Sequence, residues 1–455
     1  MCGISIFKEE NRSKIDLTKH RGIQYSEKIV DGWIYGHHRL PIQTLEEDEW
    51  TQPVPLTGGF FLFNGEIFNY DKDKFDNDTE YLQDFFCRHR EYEDFPKEMA
   101  KWDGFWSIVI VSDMGYTVAF TDPLGKKQLY YNEEGEISSE IKGLTRSGII
   151  DPAYISSVRK WGYNMNDRTI YSDVKRILPN NIYLFVHRKK GDYKDRAPMI
   201  AEKNYYDWSH NIPKESIKNL LEESVKRRLV SKKYKVSTLF SGGLDSTIIL
   251  YFLRKFGSDV NIYSIDNGND GEMVRWMEKK WDLKINYLNP DIPNLNILDR
   301  MRIMEINDGP IDLGSVIPQY YLFQDIKDKI VLTGDGADEL FSGYRRAYEY
   351  DSQGSDVFEE LPFYHLIRLD RMSMNFTIEC RNPFLGHEVI KKALSIPWKD
   401  RIGKKILKKE FFGLIPDEIL FRKKEPLKIQ AIRDNEKDHR NKTVDEYLAY
   451  LKLKF

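Results

Sequence analysis

The hydrophobic positions fall into two regimes. Up to about residue 186 they form short runs: Cys2 to Phe7 alternates, and Phe105–Val111, Val118–Asp122, Gln128–Tyr131 and Asn181–Val186 are rich in β-branched and aromatic residues. Each run is bounded by turn residues and predicts a strand. From Lys214 the period lengthens, and Ile217, Leu220, Leu221, Val225 and Leu229 share one face of a helix expected over 214–229. Strand and helix then alternate. Strands are expected up to Leu239, at Val260–Ile265, at Lys284–Leu288 and at Ile330–Thr333, with helices from Asp245 and over Gly271–Trp281. That order predicts a doubly wound parallel sheet whose ligand site lies off the carboxyl ends of its strands. Residues 187–213 are charged and aperiodic and predict the seam between two units, 1–195 and 205–455. A chain of 455 residues is too long for one core. The tail from Asp434 is charged with an amphipathic finish and suggests no chemistry.

Candidate chemistry begins where the apolar run Val236–Phe240 stops at Ser241-Gly242-Gly243 and a helix opens. A strand, a glycine turn and a helix start gather backbone N–H groups and a positive helix end around one point, with room for an anion. Ser241 and Ser246 add hydroxyls, and Asp245 a carboxylate that Mg²⁺ can bridge to phosphate. The segment Ser241-Gly-Gly-Leu-Asp-Ser246 resembles the pyrophosphate loop of the ATP pyrophosphatases. A second acidic stretch, Thr333-Gly334-Asp335-Gly336-Ala337-Asp338-Glu339, falls at another strand end. On its own it reads as solvated surface; a calcium loop is ruled out because its glycine and distal glutamate are misplaced.

At the other end of the chain Cys2 directly follows Met1. If Met1 is removed, Cys2 carries a thiol and a free α-amine, which titrates near about 8 and can take the thiol proton. Cys2-Gly3-Ile4, His20-Arg21-Gly22, His38-Arg39-Leu40-Pro41-Ile42, Asn64-Gly65-Glu66 and Asn77-Asp78-Thr79-Glu80, in this order, resemble the class II glutamine amidotransferase domain. The resemblance implies an αββα N-terminal-nucleophile sandwich. It makes Cys2 the nucleophile and Asn64 with Gly65 the oxyanion hole. Arg39, Leu40, Ile42, Asn64, Gly65, Glu66 and Asp78 would bind glutamine. With the acidic stretch, Asp370-Arg371-Met372-Ser373-Met374, Glu379-Cys380-Arg381-Asn382-Pro383-Phe384-Leu385 and Arg422-Lys423-Lys424-Glu425, the whole chain resembles the glutamine-hydrolysing asparagine synthetases. By that likeness Asp245 and Asp338 hold Mg²⁺, and Asp335 takes a proton beside the reacting carbonyl. ATP would lie on Leu239, Ser241, Gly242, Gly243, Asp245, Ser246, Ile265, Thr333, Gly334 and Lys424. Aspartate is the expected acceptor. The alternatives are another carboxylic acid or a catalytically idle nucleotide-binding paralogue.

The chain departs from the family pattern at Ile23, Asn77, Ser342, Asn382 and Gly386, the last three expected to flank the acceptor pocket. Composition adds limits. A net charge of −3 gives no support for a nucleic-acid or membrane partner. Three scattered cysteines indicate neither a disulfide framework nor a structural zinc, and His20, His37 and His38 lack ligand companions. The first residues become charged too soon for a signal peptide, so the cytoplasm is the expected compartment, with a homodimer allowed.

Overall fold

The period-2 runs of the first half become two six-stranded antiparallel sheets. One has the order β10-β8-β9-β1-β3-β2, the other β12-β11-β7-β6-β5-β4. The strands are β1 Cys2–Lys8, β2 Gln24–Val30, β3 Trp33–Arg39, β4 Val54–Leu56, β5 Gly59–Ile67, β6 Gly104–Ser112, β7 Tyr116–Thr121, β8 Tyr130–Asn132, β9 Ile137–Ser138, β10 Val174–Arg176, β11 Asn181–Val186 and β12 Met199–Lys203. The computed structural model describes residues 2–44, 50–89, 92–186, 199–265, 268–288, 295–311, 313–344, 355–422 and 436–454.

Alternation along β5 shows how the layers form. Phe60 and Leu62 face inward to meet Ile4, Ile6 and Tyr35 of the other sheet. Phe61 and Phe63 face outward under helix α1 (Asp78–Arg88), against Leu82, Phe85 and Phe86. The outer face of the first sheet is covered by Tyr154, Ile155 and Val158 together with residues of the second unit. The expected strand at 128–131 begins only at Tyr130, because the Gln128 amide donates to the carbonyls of Gly125 and Lys126. One further strand, β12, pairs with β11, so this sheet runs past the expected boundary at 195.

The second unit holds a five-stranded parallel sheet ordered β15-β14-β13-β16-β17, with β13 Val236–Leu239, β14 Asn261–Ile265, β15 Ile285–Leu288, β16 Ile330–Leu332 and β17 Glu379–Arg381. The first strand of this unit, β13, lies mid-sheet, flanked by β14 and β16, so the strand order reverses between β13 and β16. Ligands bind off the carboxyl ends at such a reversal. The helix expected over 214–229 spans Ile217–Arg227 and is capped by Ser216, whose side chain accepts from the Asn219 N–H. A continuous apolar core joins the units: Leu40, Ile42 and Leu124 pack with Ile217, Leu221, Phe384 and Leu385. Among the described residues no helix is long and apolar enough to cross a membrane.

Candidate active site

Cys2 opens β1 and sits beside Arg39, its register partner on β3. Its backbone nitrogen donates to Asn64 Oδ1 at 2.9 Å, which brings β5 of the other sheet to the same point. Asn64 is fully buried, and among the described residues its Nδ2 has no hydrogen-bond partner. A buried amide donor left open next to a cysteine has the chemistry of an oxyanion donor. Gly65 fits only as glycine, since a methyl there would overlap the Phe105 carbonyl. Arg39 Nη2 donates to Thr44 Oγ1 at 2.8 Å. Leu40 and Ile42 turn their side chains into the shared core, so they can meet glutamine only through their backbone.

Asp78 lies in the first turn of α1. Asn77, where the family usually has serine, caps that helix by accepting from the Glu80 N–H at 2.9 Å, so the departure conserves the capping chemistry. Asp78 Oδ2 accepts from the Ile67 N–H at 3.0 Å. Burial, with the carboxylate of Glu379 nearby, nonetheless lifts the Asp78 carboxyl to about 7. Burial, with Glu379 and Asp78 beside it, holds Glu66 well above the usual carboxylate range. Two desolvated carboxyls side by side resist ionisation until a cation joins them. The pocket therefore has the electrostatics of an ammonium site. Glu379 belongs to the second unit, as does Arg381, whose Nε donates to it at 2.5 Å. Neither was expected here, since their stretch reads only as acceptor-side.

The second cluster lies at the sheet reversal. After β13 the chain turns through Ser241 and Gly242 into helix α2 (Leu244–Lys255), whose N-cap is Gly243 with no side-chain cap. The Ser241 and Ser246 hydroxyls are 3.1 Å apart, and Leu239 and Ile265 end neighbouring parallel strands. From β16 come Thr333, Gly334 and the half-buried Asp335. Asp245 and Asp338 converge on one ammonium: Lys404 Nζ is 2.7 and 2.6 Å from the Asp245 oxygens and 2.6 Å from Asp338 Oδ1. Burial alone would lower the Lys404 pKa, and the two carboxylates overcome it and raise it. Lys404 Nζ stands where a metal cation shared by the two carboxylates would stand. The donor set of two carboxylates, with hydroxyls and a helix start across from them, fits Mg²⁺ completed by phosphate oxygens. Gly343 must be glycine, because a methyl would overlap both Asp338 and Lys404. Burial, with Asp338 beside it, lifts Glu339 to about 7. Lys424 and Met1 lie outside the described residues, but Arg422 reaches the Gly242 carbonyl at 3.5 Å, at the start of the Lys424 segment. Sequence reasoning missed Lys404, which reads as part of an ordinary basic run.

Of the three departures expected around the acceptor pocket, Asn382 lies beside the acidic loop: its Nδ2 donates to Thr333 Oγ1 at 2.8 Å. Gly386 instead packs against Ser224, at the seam, where any side chain would collide with the Ser224 hydroxyl. Ser342 lies beneath Lys404, its carbonyl accepting from the Gly403 N–H at 3.0 Å.

Buried charges run from the Cys2 end of the first cluster into the second unit. Arg21 Nε donates to the Cys2 carbonyl at 3.0 Å, while its Nη2 binds Asp370 at 2.9 Å. Asp370 also takes Lys127 at 2.6 Å and Arg371 at 3.0 Å. Burial alone would raise Asp370, and these cations hold it at about 2. A small cavity lies alongside, lined by Phe105, Lys126, Lys127, Asp370, Cys380 and Asn382. Phe68, Phe105 and Met374 pack together beside it. Burial lowers Lys126, which donates to the Leu385 carbonyl at 3.0 Å, to about 7. Among the described residues no group of three or more His, Cys, Asp or Glu side chains has metal-binding geometry.

Residues 216–365 and 353–453 match the family described as asparagine synthase, and residues 1–196 match the glutamine amidotransferase domain family. The chain is 26% identical to a probable glutamine-hydrolysing asparagine synthetase of Acanthamoeba polyphaga mimivirus, over 93% of this chain and 84% of that protein. It is 24% identical to the glutamine-hydrolysing asparagine synthetase 3 of Bacillus subtilis, over 86% and 79%. It is 23% identical to the glutamine-hydrolysing asparagine synthetase of Gallus gallus, over 93% and 83%.

Proposed function

The chain belongs to the asparagine synthase family, and from that premise we propose that it is a glutamine-hydrolysing, ATP-driven ligase that converts aspartate to asparagine. With Met1 removed, the Cys2 thiol attacks the side-chain amide of glutamine. The freed α-amine, replacing the N–H now donated to Asn64 Oδ1, takes the thiol proton and returns it to the departing ammonia; water then hydrolyses the thioester, releasing glutamate and restoring the thiol. Asn64 Nδ2 and the Gly65 N–H hold the oxyanion. Arg39 takes the α-carboxylate by its fork, and Asp78 with Glu66 takes the α-ammonium.

In the second unit the phosphates of ATP lie on Ser241, Gly242, Gly243 and Ser246, with Thr333 and Gly334 beneath. Leu239 and Ile265 flank the adenine, and Lys424 and Lys404 reach the phosphates. Asp245 and Asp338 would hold Mg²⁺, which supplies charge neutralisation on the pyrophosphate. The acceptor carboxylate attacks the α-phosphorus and releases pyrophosphate, giving an acyl-adenylate. Ammonia then attacks the acyl carbon, AMP leaves, and Asp335 takes a proton from the attacking nitrogen. Ammonia that travels inside the protein stays neutral and undiluted.

The observation that carries this reading is the buried contact of Arg21 with both the Cys2 carbonyl and Asp370 of the other unit, beside a cavity lined from both sides. A different acceptor acid is the second reading, favoured by the Asn382 amide set beside the acidic loop. The test is exchange of labelled pyrophosphate into ATP with a panel of acids, followed by product analysis with glutamine. Exchange with another acid but none with aspartate would replace asparagine synthesis by the second reading. Loss of glutamine-dependent but not ammonia-dependent product in Cys2→Ala is the expected control.

A further inference from the structure

A cavity of about 30 Å³ lies where the two units meet, apart from both clusters described above. Tyr130 and Arg176 line it from the first unit, and Asn307, Asp308 and Phe363 from the second. Two exposed residues, Asn166 and Arg168, stand at its mouth. The inner space takes about two or three water-sized groups.

Arg176 ends β10 and is 4% exposed. Its Nε has no hydrogen-bond partner, and its guanidinium lies over the Phe363 ring, 5.0 Å from the centroid. Among the described residues no carboxylate or carbonyl takes this cation. Other buried arginines at the seam are all held: Arg21 by Glu140 and Asp370, Arg228 by Asp103, Arg371 by Asp308 and Asp370. A buried cation without a partner is costly, so a site that keeps one is built for something that brings a negative group.

Among the described residues three oxygens in the same walls are also buried and without a hydrogen-bond partner: Asn164 Oδ1, Asn307 Oδ1 and Asp308 Oδ1. The Asn164 amide orientation is fixed, since its nitrogen donates to Asn166 Oδ1 at 2.7 Å and to the Arg168 carbonyl at 3.0 Å. A simple anion at Arg176 would face these oxygens, and a simple cation at the oxygens would face Arg176. A group carrying both charges on neighbouring atoms satisfies both walls.

We propose that this cavity binds the ammonium–carboxylate head group of a free α-amino acid, as an effector site distinct from the two catalytic clusters. The carboxylate meets Arg176, the ammonium meets Asp308, Asn307 and Asn164, and the side chain leaves past Asn166 and Arg168. Asp308 Oδ2 is held by Arg371 Nε at 2.5 Å, and Arg371 in turn binds Asp370, the partner of Arg21 on the Cys2 carbonyl. Occupancy at the seam is thereby contiguous with the nucleophile.

The probe is glycine, compared with acetate and methylamine at constant ionic strength, followed by calorimetry and by thermal unfolding of the full chain. Glycine should bind saturably to the wild type. Acetate or methylamine alone should bind about tenfold more weakly or worse, as should glycine to Arg176→Met or to Asn307→Leu. Without ligand, Arg176→Met should melt no lower than the wild type, because it removes a charge that has no partner. Acetate binding as tightly as glycine would make this a plain anion site and overturn the proposal. Glycine binding unchanged by both substitutions would mean the cavity holds only water, with the glycine bound elsewhere. A fall of several degrees in the ligand-free Arg176→Met protein would reveal a protein partner for Arg176 and overturn it as well.

Discussion

Replacing Lys404 by methionine removes the ammonium at the centre of the nucleotide cluster while keeping an unbranched side chain that is one atom shorter. Oxygens of Asp245 and Asp338 that each lie 2.6 or 2.7 Å from one nitrogen are at most about 5.3 Å from each other. With an effective dielectric of about 20, two unit charges at that distance repel by about 3 kcal/mol. Breaking a buried ion pair by removing one partner costs about 3–5 kcal/mol, in agreement. The side chains are 9%, 18% and 13% exposed for Lys404, Asp245 and Asp338, so solvent screening favours the lower figure. For a unit of this size about 3 kcal/mol corresponds to a fall of about 6–12 °C in the melting temperature of the second unit. Mg²⁺ should reverse part of that loss in Lys404→Met, because the two carboxylates that have lost the ammonium accept a divalent cation, and should shift the wild type less. The assay is calorimetric unfolding of both proteins with and without millimolar Mg²⁺, with glutamate release from glutamine as the check that the first unit is intact. A melting temperature within a degree of wild type, or equal Mg²⁺ shifts in the two proteins, would refute the reasoning.

Asn64→Asp keeps the oxygen that accepts from Cys2 and loses the open Nδ2 donor. Glutamate release should fall about 10²–10³-fold in kcat with little change in KM. Asp78 titrates at about 7, and only its ionised form attracts an ammonium, so glutamine affinity should rise with pH and level off above that value. Below it KM should climb by up to about tenfold per pH unit, and Asp78→Asn should flatten the profile at a high KM. Asp370 is held at about 2, below its unfolded value, so its stabilising share is present above about pH 4 and lost as pH falls toward 2. That share is about 2 kcal/mol, and Asp370→Asn should lose it at neutral pH while showing a shallower fall in melting temperature on acidification. Gly343→Ala should abolish pyrophosphate exchange and leave glutamate release intact, because the added methyl displaces Asp338 and Lys404 in the second unit.

How much was legible from the chain alone depends on how local each signal is. The turn from β13 into α2 could be read because a β-branched run, two glycines and a helix start lie within fifteen residues. The Cys2 strand and its neighbours could be read for the same reason, and Asn77 carries its capping role in its residue type. Strand β17 is only three residues long, too short for any periodicity, so its place at the edge of the parallel sheet was not visible. Lys404 sits in a run of basic residues that by itself describes a solvated face. It is a site residue only because the chain returns, 159 positions after Asp245, to the point where two carboxylates meet.

What the sequence by itself determined is most of the elements and two candidate chemistries, a cysteine at position 2 and an anion-binding turn at a strand end, since these depend on nearest neighbours and residue type. The tertiary structure alone decided which charges are desolvated and which pair. Glu379 and Arg381 approach the Asp78 and Glu66 carboxyls, Asp370 gathers Arg21, Lys127 and Arg371, and Arg176 is left alone above Phe363. A charge costs little in water and much in a low-dielectric seam. Burial is a property of the packed chain, so no local pattern in the sequence contains it.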